Sequence, residues 1–191
     1  MLLTVRELKP EFPLGLIILS LLIFLGGLAV GYLSAEEISS QLTEVLGEEL
    51  SFFAELPLPL LALAIFTNNF SKTLIAMLLG VLLVIPPVLF ILVNGFILGV
   101  VSFEVVKYKG LLFLVLGVLP HGIFEIFAAT LSTALGIRLG IAVYRRLRKR
   151  SFEVWHTLKL CLKTYFSWVM PLLALSAVIE TCVTPLLLSG F

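Results

Sequence analysis

From Phe12 to Leu33 the chain runs 22 residues without a charged side chain. At a rise of about 1.5 Å per residue, a helix of that length reaches about 33 Å, the thickness of a bilayer's hydrocarbon core. Arg6 and Lys9 precede the run as they would in a signal peptide. The apolar core of a signal peptide is only about 7–15 residues, however, so a retained first helix is expected. Similar apolar texture returns along the rest of the chain. Inside hydrocarbon every backbone N–H and C=O must find a partner within the structure, which favours helices. The expected fold is all-α: a polytopic transmembrane bundle of about five spans, one or two of them kinked or discontinuous, in one domain over 1–191. Composition agrees, with 60% hydrophobic and 13% charged residues against about 25% charged in soluble domains.

Charge is segregated. Six glutamates lie within 34–56 with no basic residue among them, and that segment reads as an acidic stretch outside the membrane, an amphipathic helix on its surface. Arg145, Arg146, Arg148, Lys149 and Arg150 form a basic cluster that marks the cytoplasmic side and faces anionic lipid. Phe152, Trp155, Leu158 and Leu162 then fall on one helical face, so 145–163 is expected to be a basic surface helix. An odd number of spans puts the N-terminus inside.

The second span is expected within Pro57–Val84 and carries Asn68, Asn69 and Lys72. Pro86-Pro87 should make a tight turn, because each proline lacks an amide hydrogen and clashes with the preceding turn. Val88–Phe103 is the third span. The fourth, Leu111–Tyr144, is longer than a straight crossing needs, and Pro120-His121-Gly122 is the natural place for a kink or unwound turn. The last span is Tyr165–Leu188. Three small-residue ridges, Gly27/Gly31, Gly95/Gly99 and Gly136/Gly140, invite close helix packing. Three ridges on one small chain also allow a homodimer, because not all need be used internally. Cys161 and Cys182 lack metal-ligand spacing and read as small buried apolar side chains.

Asn69, Lys72, Asn94, His121, Glu125 and Glu180 are polar residues inside apolar segments, where they need partners or a wet cavity. Counting along the spans places Asn69, His121 and Glu180 in the outer half of the bilayer and Asn94 nearer the cytoplasmic side. On an intact helix His121 and Glu125 share a face and can bond directly. Four uses of these groups compete: a network that specifies helix packing, a proton or ion pathway, a metal site of one histidine and two glutamates, and hydrolysis with Glu125 as base. No metal or other cofactor is expected.

With those residues in view, the chain resembles the stage II sporulation protein M family. The likeness rests on IFTNNFSK (65–72), LVNGFILG (92–99), LPHGIFEIFA (119–128) with GIRLG (136–140), and AVIETCVTP (177–185). It implies a multi-pass protein of the cell membrane and carries over the polar residues Asn69, Asn94, His121, Glu125 and Glu180. The sporulation member acts as a membrane scaffold for a peptidoglycan-degrading pair during engulfment. The leading expectation is therefore a non-enzymatic scaffold that positions partner proteins. A small transporter or channel using the polar site is the alternative, and an intramembrane hydrolase or lipid-modifying enzyme the third. Expected partners are membrane lipids, a second copy, or membrane and cell-envelope proteins, and not nucleic acid. What separates the first two readings is whether the polar residues line a cavity or satisfy one another in a dry cluster.

Overall fold

The computed structural model describes residues 13–54, 56–148 and 154–190, and over 39–54 the backbone course alone. The described residues form helices α1 (Leu14–Ala54), α2 (Leu58–Leu78), α3 (Ile85–Lys109), α4 (Leu111–Leu147), α5 (Val154–Thr164), α6 (Met170–Cys182) and α7 (Thr184–Leu188). Five stretches, Leu14–Ile38, Leu58–Leu82, Ile85–Lys109, Leu111–Leu147 and Val154–Leu188, are long and apolar enough to cross a membrane. The all-α, five-span expectation holds, and one of the long helices is bent.

Proline and glycine set the boundaries. Pro13 and Pro57 precede α1 and α2, and their carbonyls accept from the first free amides, Leu16 and Ile17 in one case and Leu60 and Leu61 in the other. Between them α1 meets no proline, and its backbone continues unbroken to Ala54. The acidic segment is thus the far end of the first helix and not a separate element. Pro86 and Pro87 lie in the first turn of α3 rather than in the connection, since the amides they lack have no helical partner there. The reversal is made earlier, by a 3-10 turn over Leu79–Leu82 and by Leu83, whose φ of 71° is left-handed. Gly110, at φ 85°, joins α3 to α4 in one residue.

Two further expectations change. Of the kink or unwound turn expected at Pro120, the unwound turn is absent, and α4 stays helical through the proline. The predicted surface helix is instead the opening of the last span: α5 leads through a π-helical turn, Tyr165–Val169, directly into α6. Thr157, Cys161 and Thr164 form its buried side, and the Cys161 thiol points to the Leu135 carbonyl of α4 at 3.5 Å. Trp155 is exposed. Periodicity alone had favoured the larger apolar side chains, but the small ones let α5 approach α4. Arg145, Arg146 and Arg148 are exposed at the end of α4, whereas Lys149, Arg150 and Phe152 lie outside the described residues. Cys161 is buried as expected, and Cys182 is exposed.

Helix α4 is the axis of the bundle. From Ala128 to Ile137 every residue is buried, so the helix is covered all round. One side packs Leu131 and Leu135 with Met77, Tyr165, Val169 and Leu173 from α2 and the last helix. The other packs Ala129 with Phe24 and Ile91 from α1 and α3.

The glycine ridges fix how these layers meet. A methyl on Gly27 or Gly31 would fall on the backbone of Leu92 or Phe96, and one on Gly95 or Gly99 on the backbone of Phe24 or Leu28. The two ridges therefore interlock, with α1 and α3 running in the same direction. Tyr32 and Phe103 continue the seam as an edge-on aromatic pair at 5.5 Å. The third ridge receives the α2–α3 turn: Gly136 faces Gly80, Met77 and Pro87, and Gly140 faces the backbone of Leu83 and Val84. All three ridges are occupied within one chain. That removes the spare-ridge argument for a homodimer.

Candidate functional site

The same packing leaves a gap. Helix α2 lies against α4 and the last helix, while α3 lies against α1 and α4, so α2 and α3 share little beyond the turn that joins them. Between them, with α4 as the back wall, is a cavity of about 230 Å³. Its polar lining is Asn69, Lys72 and Thr73 from α2, Asn94 from α3, and His121 and Glu125 from α4. Five of the six polar residues singled out in the sequence thus meet around one space. Asn94 joins them because α3 begins at Ile85, which sets Asn94 deeper along its helix than a span starting at Val88 would.

Glu180 does not line the cavity. It is half-buried on α6, close enough to Glu125 for the two carboxylates to interact electrostatically. Glu125 accepts a hydrogen bond from the Asn69 side chain, and the Lys72 charge acts on it. In hydrocarbon this neighbour matters, since an isolated ammonium or carboxylate there costs several kcal/mol.

His121 and Glu125 share a face of α4, yet each bonds to a different helix. His121 Nδ1 lies 3.3 Å from the Thr184 hydroxyl, and Ser176 Oγ donates to the His121 carbonyl at 3.1 Å. These contacts clamp the Pro-His-Gly turn of α4 onto α6 and α7. The Asn94 amide donates to the Phe90 carbonyl at 2.7 Å, one turn back on its own helix, and leaves its oxygen able to accept.

A second network holds α2 in place. The Tyr165 hydroxyl donates to the Phe70 carbonyl at 2.8 Å and lies 2.8 Å from the Thr73 hydroxyl. Thr73 Oγ1 reaches the Asn69 carbonyl at 2.7 Å, and Ser132 Oγ donates to the Thr73 carbonyl at 2.8 Å. Tyr165 opens the π-helical turn, a local widening that is often found at functional sites. Hydrogen bonds between membrane helices average only about 0.6 kcal/mol, so this network supplies geometry more than stability. It fixes the stretch of α2 that presents Asn69 and Lys72. Sequence reading missed Tyr165, Thr73, Ser132, Ser176 and Thr184. Hydroxyls at these positions suit membrane-helix interiors generally, and only the placing of Ser176 beside, and Thr184 within, the AVIETCVTP stretch (177–185) pointed their way. Among the described residues, no three His, Cys, Asp or Glu side chains group to hold a metal ion.

Fold and cavity together define a multi-pass helical membrane protein with a polar site inside its bundle. The family model for Stage II sporulation protein M matches residues 20–185, and the chain belongs to that family. No curated protein and no solved structure matches it.

Proposed function

We propose that this protein works through a ligand held in the intramembrane cavity, as a small transporter or channel of the cell membrane rather than as an enzyme. The observation that carries this reading is the space itself: Asn69, Lys72, Asn94, His121 and Glu125 line a cavity of about 230 Å³ that the bond from Asn69 to Glu125 does not close. A single water needs only about 10–15 Å³ by a comparable measure, so several waters or a small polar group fit. Drug-sized ligands occupy about 300–1,000 Å³, which makes a large guest a poor match. Reconstituted in liposomes, the protein should pass protons, a cation or a small polar molecule, and His121→Ala or Glu125→Gln should reduce that flux. Flux unchanged by both substitutions overturns the transport reading.

The scaffold reading is supported by a different feature. At about 1.5 Å per residue, the 41 residues of α1 reach about 60 Å, roughly twice the hydrocarbon thickness. The surplus carries the acidic sequence and makes an arm on which a membrane or cell-envelope protein could be positioned. If crosslinkers placed along 39–54 capture no protein in native membranes, the scaffold reading fails.

A further inference from the structure

Lys72 and Asn94 are both exposed, although each lies well inside an apolar helix. Exposure at that depth means the cavity opens sideways between α2 and α3, onto the surface that meets acyl chains. Its apolar lining is suited to them: Phe90, Ile97, Leu98 and Val101 share the space with the polar groups. A guest admitted by this route has an apolar tail and a polar head.

Charge narrows the head. Lys72 and Glu125 line the same small space and lie within electrostatic reach of each other. A guest with a net charge would leave one charge uncompensated in hydrocarbon, which is expensive. A guest with one positive and one negative group, opposed to Glu125 and Lys72 respectively, adds no net charge. The lysine offers three N–H donors to an anionic oxygen, and Glu125 with the Asn94 amide oxygen offers acceptors to an ammonium. We propose that the cavity is a lateral site for a zwitterionic phospholipid head group carrying a phosphate and a primary ammonium, as in phosphatidylethanolamine. This rests on the reading of the cavity as a ligand site and names its occupant.

The test is native mass spectrometry of the protein released from nanodiscs that contain phosphatidylethanolamine, phosphatidylcholine and phosphatidylglycerol in equal amounts. Soluble glycerophosphoethanolamine is added in a parallel arm. Phosphatidylethanolamine should be retained at least tenfold over the other two lipids, because trimethylammonium has no N–H to donate and the glycerol head is anionic overall. Lys72→Met, Glu125→Gln and the milder Asn94→Leu should each lower that retention. Circular dichroism melting identifies a variant that has failed to fold, and Asn94, exposed and bonded only to its own helix in the contacts above, is the variant best placed to pass that check. Preferential retention of phosphatidylglycerol overturns the zwitterion assignment and leaves the cavity a ligand site. Binding of glycerophosphoethanolamine without lipid overturns the lateral route in the same way. If neither lipids nor the soluble compound bind in a manner that depends on Lys72 or Asn94, the proposal and the ligand-site reading fall together.

Discussion

The α1–α3 seam and the α2–α3 cleft share one helix and treat it in opposite ways. Along the seam, Gly95 and Gly99 bring the α3 backbone against Phe24 and Leu28 of α1, with no room for a methyl group. Along the cleft, Asn94 is exposed beside a cavity that also exposes Lys72. Neighbouring residues 94 and 95 therefore belong to different physical regimes. Bilayer helices gain little from apolar burial, because lipid tails are as apolar as leucine, so close backbone approach is what holds the seam. The cleft gives up that contact and spends it on space for polar groups. Rigidity on one side of α3 makes an opening on the other side affordable without loss of the bundle.

The largest effect should come from breaking the seam. Gly31→Leu places a side chain on the Phe96 carbonyl, and overpacking of this kind should destabilise the bundle by about 3 kcal/mol, read as a lower melting temperature in detergent. If the protein melts normally, the seam is not the lock described. Lys72→Met acts on the cleft instead. A tenfold loss of head-group retention corresponds to about 1.4 kcal/mol of binding, and melting should fall by less than in Gly31→Leu, because one charge is lost and no backbone is displaced. Equal losses of binding and stability would mean the cleft is part of the lock.

Tyr165→Phe tests how the α2 wall of the cleft is held. Losing the hydroxyl that meets Phe70 and Thr73 should cost about 1 kcal/mol in stability and loosen ligand retention, since α2 is no longer held in register. Retention unchanged by this substitution would uncouple the network from the cavity. The smallest effect is expected at Gly26, where an added methyl meets nothing within 4 Å. Gly26→Ala should stabilise by about 0.5–1 kcal/mol through helix propensity alone. Gly27→Ala, one residue on, should destabilise, because its methyl falls on the Leu92 carbonyl. The same shift from both variants would contradict the seam's geometry.

Much of this was legible in the residues. Long uncharged runs forced a helical membrane bundle, because unpaired backbone groups cannot be left in hydrocarbon. The three ridges were visible as spacing, and the polar residues as exceptions within apolar segments. Tertiary structure decided the partners: which ridge meets which, why Gly27 is locked while Gly26 is free, and that Pro86 and Pro87 start a helix. It also turned the expected surface helix into the head of the last span, drew Asn94 into the cavity and left Glu180 behind it. The physical reason is common to all of these. Periodicity specifies a face of one helix, whereas a seam, a cavity or a clamp depends on what the neighbouring helices place against that face.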